Sequence, residues 1–438
     1  MESYIGKIQS PHTENETIDS VRLHLNNNNI EVEFNSNGGR FDNIKILIGI
    51  FNGLGKVTLV NCQNIGVSVG AGGDIRKYNA EYLLIGDFLN DLDSCFFKKV
   101  TVLMNGLLDW TKISSVKNNL FIDKKLEIKE IESIEIYKSN DISIELFPSY
   151  RINLKRENNL ITISENTGFR IKSLKENINI WSYLSLITEL KKFFFLIGNL
   201  STHTERTNFF IDKEEPITLF WSGNNSVGST SYSSPKIKFE QIKHNLNEII
   251  HNWFEKKDLQ TSVDLILEKT SNNNLSIENF FLNNCFSIET FHRRFRNYKL
   301  FQKSEFKEIK EKLFSNNLDK DIKKLIESSL AHINEPNFRN RLNDFKSEFD
   351  VLLPNEWIAD DYINRIVKTR NYLVHRSSKK NVFDEFEMKF AAMFIESIVK
   401  VNIFRTLGIE ENIIDELLID SGKKIRSSYN SNKKTTEI

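Results

Sequence analysis

The hydrophobic period changes once along the chain, and that change constrains the fold more than any other feature. Between residues 18 and 170, apolar and polar positions alternate over short runs: VRLHL, IEVEF, KVTLV, KLEIKEIESIEIY, ISIELF and LITISE. A period of two puts every second side chain on one face, so these runs read as half-buried strands. Turn-forming segments separate them, NNNN at 26–29, NSNGG at 35–39 and NGLGK at 52–56, which predicts hairpins and an antiparallel, sandwich or barrel-like module. From Ile180 the spacing turns helical through LITELKKFFFLIG, predicting a helix over 180–198. A strand at ITLFW then precedes the Gly/Ser-rich stretch SGNNSVGSTSYSSP at 222–235. That stretch is the expected boundary of a β-rich domain over 1–235.

From 236 to 420 apolar residues recur at spacings of three and four. Ile242, Leu246, Ile249 or Ile250 and Trp253 mark a first amphipathic helix, and Val263, Ile266 and Leu267 a second. Phe281, Cys285, Ile288, His292 and Phe295 mark a third, running from about Ile277 to Leu300. Further helices are expected over roughly 304–332, 356–375 and 383–406, with Pro336 and Pro354 in the connections. Such stripes pack into an all-α bundle. Residues 421–438 are polar and basic and read as a mobile tail. The expected fold class is α+β, with its β-rich and all-α parts in separate domains.

Charge and cysteine usage limit the functions such a chain can have. Lys plus Arg equals Asp plus Glu at 59 each, so any nucleic-acid footprint must be local. Cys62, Cys95 and Cys285 are far apart and form no CxxC pair. They predict buried thiols of a reducing compartment, with no disulfide framework and no metal or other cofactor. The opening residues lack the basic flank and apolar core of a signal peptide. Glu189, Lys191 and Lys192 interrupt the longest apolar stretch, Ile180 to Leu200, which argues against a membrane span. A cytoplasmic location with no membrane partner is expected.

The segment NEWIADDYINRIVKTRNYLVHRSSKK concentrates the chemistry. Ala359, Tyr362 or Ile363, Ile366 and Leu373 share one helical face, and Arg370, four residues after Ile366, falls on that stripe. A buried guanidinium needs a carboxylate or an anionic ligand. Asn371 and His375 are spaced i, i+4, so a continuing helix sets them beside Arg370. The trio suits metal-independent RNA cleavage, in which a 2′-hydroxyl attacks the adjacent phosphorus. His375 titrates near neutrality and serves as base or acid. Arg370 supplies an obligatory cation for the phosphorane charge, and Asn371 an orienting amide. One such His per chain leaves the second proton-transfer role to a two-fold copy. His332 is too distant in sequence to be assigned to it. Arg376, Lys379 and Lys380, just beyond the motif, are candidate RNA contacts.

The string RNYLVH resembles the Arg-x-x-x-x-His motif of HEPN ribonucleases. The upstream FFLNNCFSIETFHRRF and downstream FRTLGI resemble, in order and spacing, the Apea-like HEPN domain. In the first half, VTLVNC at 57–62, AEYLLIGDF at 80–88, the FF pair at 96–97 and LLDW at 107–110 resemble the first N-terminal domain of ApeA proteins. The Gly and Trp-containing opening common in that family is not found. The resemblance implies a bacterial anti-phage protein with a β-rich sensor or regulatory module and a HEPN endoribonuclease module. Such a protein is restrained until infection, then halts translation or growth of the infected cell. It also implies an RNA substrate, a homodimer or higher even oligomer through the HEPN helices, and a phage-derived trigger at the N-terminal domain. Glu289, His292 and Arg293 match favoured positions of the family, with Glu289 pairing with Arg370 and positioning it.

Plainer readings stand beside these. Arg370, Asn371 and His375 also fit a buried ion pair followed by a histidine in the helix dipole, the form a non-catalytic HEPN binding or dimerisation domain would take. Glu289 and Arg293 fit an ordinary i, i+4 pair, and His292 a cap on the apolar stripe. The glycines of NGLGKVT at 52–58 and GVSVGAGGD at 66–74 lack a P-loop ending and read as hairpin turns. KKFFFLIG at 191–198 reads as core.

Overall fold

A computed structural model describes residues 2–11, 17–26, 29–35, 44–70, 73–119, 125–128, 131–155, 160–200, 203–211, 215–221, 236–271, 274–296, 298–314, 319–330, 333–354, 357, 361–376 and 378–436. The Gly/Ser-rich stretch at 222–235 and His332 lie outside them. The chain forms two compact units, one of Met1–Ser229 with Lys238–Ile250, the other of Thr230–Ile237 with His251–Ile438.

The alternating runs of the first unit form the predicted strands, and six of them close into a barrel. These are β1 (Glu2–Gln9), β2 (Ile18–Asn26), β3 (Asn29–Asn35), β4 (Ile44–Phe51), β5 (Gly55–Gly70) and β6 (Gly73–Ala80). They pair in the order β5-β4-β1-β2-β3-β6, and β6 returns to β5. Val21, Leu23 and Leu25 of β2 and Ile30, Val32 and Phe34 of β3 are buried inside, as a period of two requires. Gly53 and Gly55 take φ of 85° and 77° in the β4–β5 turn, where a side chain would be strained. The run at 52–58 is therefore a hairpin turn, while residues 66–70 and 73–74 of the second run belong to β5 and β6, paired up to Gly70 and Gly73.

The long β5 strand joins two architectures. Its residues 55–62 pair with β4, and 63–70 pair with β6. Near the end of the first half Asn61 sits at φ 53° and donates Nδ2–H to Glu81 Oε2 at 2.7 Å. Val57–Val60 also pair with β7 (Tyr82–Ile85), which starts an open antiparallel extension. The extension continues through Ile217–Trp221, Thr204–Phe210, Lys99–Met104, Leu160–Ser173, Ile142–Lys155 and Ile134–Lys138. The helix Ile180–Gly198 lies against it, with Phe194 packed on Phe169 and Tyr183 on Phe209. Phe193, Phe194 and Phe195 are buried, so the aromatic run is core.

The second unit is helical. The helix Glu385–Leu407 is buried on nearly all sides, from Met388 to Leu407, which makes it the bundle's central rod. It packs against Ile277–Phe295 and Glu411–Thr436. The predicted stripe of Ile277–Phe295 is buried at Phe281, Cys285, Ile288 and His292. The helix ends at Phe295, short of Leu300.

Four expectations are corrected. The first amphipathic segment is two helices, Phe239–Ile242 and Leu246–Glu255, and 304–332 likewise divides into Lys303–Phe314 and Lys320–Leu330. Residues 421–436 are not a loose tail. They continue the last helix because Ile425 and Tyr429 are buried, while Arg426 donates to the carbonyls of Val351 and Leu352 at 2.6 and 2.9 Å. Those two carbonyls end the helix Lys346–Leu352, so the arginine satisfies acceptors that the helix itself leaves open. Cys62 and Cys285 are buried, but Cys95 is only half-buried.

Candidate active site

The helix Tyr362–His375 carries the motif. Asp361 caps its start by accepting from Asn364 N at 3.3 Å, and Arg376 ends it at φ 52°. The buried stripe runs through Tyr362, Ile363, Ile366 and Thr369. It does not continue through Leu373, which is half-buried, and Ala359 lies outside the described residues. Thr369 fastens the last turns, since its hydroxyl donates to Arg365 O at 2.8 Å and accepts from Phe383 N at 2.9 Å. Arg365 pairs with Glu387 at 2.7 Å, and Phe383 stacks on Trp357. The helix end is thus pinned to the loop that follows it.

Arg370 lies at the edge of this stripe with 21 % of its side chain exposed. Its Nη1 donates to Asn371 Oδ1 at 3.2 Å, and its Nη2 lies 3.7 Å from Glu289 Oε2. Glu289 also faces Arg293 at 3.3 Å, so the ordinary i, i+4 pair and the tie to Arg370 coexist. The Phe286 and Phe338 rings lie 5.9 and 5.6 Å from the guanidinium. Its Nε is buried and, among the described residues, has no hydrogen-bond partner. His375 is exposed in the last turn, and Arg376, Lys379 and Lys380 follow it, also exposed. The motif therefore presents an anchored guanidinium, an adjacent amide and a solvent-facing imidazole at one helix end.

His292 does not face Arg370. It is fully buried, with Nδ1 2.9 Å from Arg341 Nη1 and Nε2 2.6 Å from Asp344 Oδ2. A guanidinium only donates, so Nδ1 accepts and the ring is the neutral tautomer carrying its proton on Nε2. Burial pulls the imidazole below its usual 6.5 against the opposing pull of Asp344. Instead of capping an apolar stripe, His292 is the centre of a polar cluster.

Sequence reasoning missed Phe286, Phe338, Arg341 and Asp344. Phe286 stands one turn before Glu289, and helical spacing would have found it. The others come from a segment with no motif of its own. Burial pushes the Cys285 thiol up, well away from a thiolate. Among the described residues no cluster of three or more His, Cys, Asp or Glu groups is placed to hold a metal ion, and no helix is long and apolar enough to cross a membrane.

A closed barrel running into an open sheet, joined to a helical bundle with this Arg-Asn-x-x-x-His helix end, defines a class: a β-barrel module linked to a HEPN-type domain. Residues 3–253, more than half of the chain, match the family model described as ApeA N-terminal domain 1, and residues 282–413 match Apea-like HEPN. The chain belongs to the ApeA family and is a HEPN-containing protein of that anti-phage type. No curated protein and no solved structure matches it.

Proposed function

We propose that the chain is a metal-independent endoribonuclease. The observation that carries this reading is the Arg370–Asn371 hydrogen bond of 3.2 Å on the helix whose last turn exposes His375. A substrate 2′-hydroxyl gives its proton to a base, the O2′–P bond forms and the P–O5′ bond breaks. The departing 5′-oxygen takes a proton from an acid. The products are a 2′,3′-cyclic phosphate and a 5′-hydroxyl. His375 serves as base or acid, Arg370 stabilises the phosphorane charge, and Asn371 orients the phosphate. A second chain supplies the other histidine, so the active species is a two-fold dimer or a higher even oligomer through the HEPN helices. Pairing would gather Arg376, Lys379 and Lys380 of both copies along one groove, which suits RNA binding by a chain of zero formal charge. The N-terminal domain, drawn at 1–235 from the sequence, acts as sensor of a phage-derived trigger and restrains cleavage until infection, in the cytoplasm.

One observation favours a second reading. Glu289 already provides Arg370 with a counter-charge at 3.7 Å, so the pair is complete without a phosphate, as in a non-catalytic HEPN binding or dimerisation module. Phage challenge separates the two readings. Cells carrying wild type should be protected and accumulate new 5′-hydroxyl RNA ends, and His375→Ala should lose both. Protection by His375→Ala at the wild-type level supports the binding module.

A further inference from the structure

The short helix Phe338–Asn343 touches both the motif helix and Ile277–Phe295, and three of its side chains tie it to those two helices. Phe338 lies over the Arg370 guanidinium at 5.6 Å. Arg339 donates to Asn364 Oδ1, near the start of the motif helix, at 2.5 Å. Arg341, only 2 % exposed, donates to His292 Nδ1 at 2.9 Å and faces Glu335 at 3.9 Å. His292 is closed on its other side by Asp344 at 2.6 Å. Asn337 caps the helix by accepting from Asn340 N at 2.9 Å.

A six-residue helix has too few internal hydrogen bonds to hold itself. Its place is set by these side chains, and Arg341 dominates because leaving a buried guanidinium unpaired is costly. Phe338 and Arg341 are three residues apart and so lie on neighbouring faces of one turn. Locking Arg341 therefore fixes where the Phe338 ring stands. That ring at 5.6 Å, together with the Phe286 ring at 5.9 Å, packs on a guanidinium whose Nε has no hydrogen-bond partner among the described residues. Contact with these rings restricts rotation without using up donors, so the Nη groups stay on Asn371 and Glu289.

We propose that Phe338–Asn343 is the positioning element of the Arg370 centre: Arg341, bonded to a His292 that Asp344 holds from its other side, anchors the helix, and Phe338 orients the Arg370 guanidinium. Neither residue touches substrate; both act through Arg370. The catalytic part of this proposal rests on the ribonuclease reading, while the geometric part does not.

The test uses the full chain with Phe338→Leu, Phe338→Tyr and Arg341→Met, and two readouts. The first is the Arg370 Nε–H signal in a ¹⁵N spectrum, assigned by its disappearance in Arg370→Lys. Phe338→Leu and Arg341→Met should speed its solvent exchange about tenfold or more, while Phe338→Tyr, which keeps the ring, should leave it near wild type. The second is RNA cleavage, where the first two variants should lower kcat on the order of tenfold to a hundredfold with KM changed less than about threefold. An unchanged Arg370 signal in Phe338→Leu overturns the proposal, and so does equal loosening in Phe338→Tyr. If the wild-type chain cleaves no RNA yet the signal follows the ring, the positioning role stands and the ribonuclease reading falls.

Discussion

Replacing Glu289 by Gln removes a charge and almost no volume, so it isolates the electrostatic tie to Arg370. The two groups are 3.7 Å apart and each is 21 % exposed. Coulomb's law at an effective dielectric of about 20 gives a gross attraction of roughly 4–5 kcal/mol at that separation. Desolvation of both partners takes most of it back, and Glu289 is shared with Arg293 at 3.3 Å. A net coupling of about 1–2 kcal/mol is left, above the ~0.2–1 kcal/mol of exposed pairs and below the ~3–5 kcal/mol of breaking a fully buried one. A double-mutant cycle of Glu289→Gln with Arg370→Met measures it. Hydrogen exchange of the amides in 362–376 under mild urea reports the helical unit separately from the barrel. The coupling should shrink with added salt, since both groups retain some solvent contact. A coupling below about 0.3 kcal/mol, within the scatter of independent sites, would refute the argument that Glu289 holds Arg370.

Two further outcomes follow from neighbouring groups. Thr369→Val keeps the shape but leaves the buried Phe383 N–H without its 2.9 Å acceptor, so it should destabilise the helical unit by about 1–3 kcal/mol; a loss under about 0.5 kcal/mol in urea unfolding contradicts this. Because burial holds the folded-state His292 pKa below 6.5, the unfolded chain binds the extra proton. Its contribution to stability is therefore fully present above about pH 6.5 and lost as pH falls through the lower folded value. His292→Gln should flatten that part of the stability–pH curve, and an unchanged slope counts against the neutral tautomer.

Much of this architecture is written locally in the sequence, and the rest depends on contacts at long range. Alternation at Val21, Leu23 and Leu25 is enough to announce a strand, because one face must be buried whatever the topology. Barrel closure is not announced, since it depends on β5 pairing with β4 along one half and β6 along the other, a change that alternation does not mark. The motif residues are legible because Arg370, Asn371 and His375 fall within the last two turns of one helix. Phe338 and Arg341 come from a separate segment, and nothing in their own spacing points to Arg370. The final helix escaped notice because its polar surface masks a sparse stripe in which Ile425 and Tyr429 are buried.

In the proposed function Arg370, Asn371 and His375 form a ribonuclease centre that needs no metal. The most direct measurement is the chemistry of the RNA ends produced by the purified full-length chain in excess EDTA, compared between wild type, Arg370→Lys and His375→Ala. Wild type should yield 2′,3′-cyclic phosphate and 5′-hydroxyl ends. His375→Ala should yield none, and Arg370→Lys very few, because a point ammonium does not reproduce the planar fork. A strict requirement for a divalent ion, or wild-type ends from His375→Ala, would contradict the account.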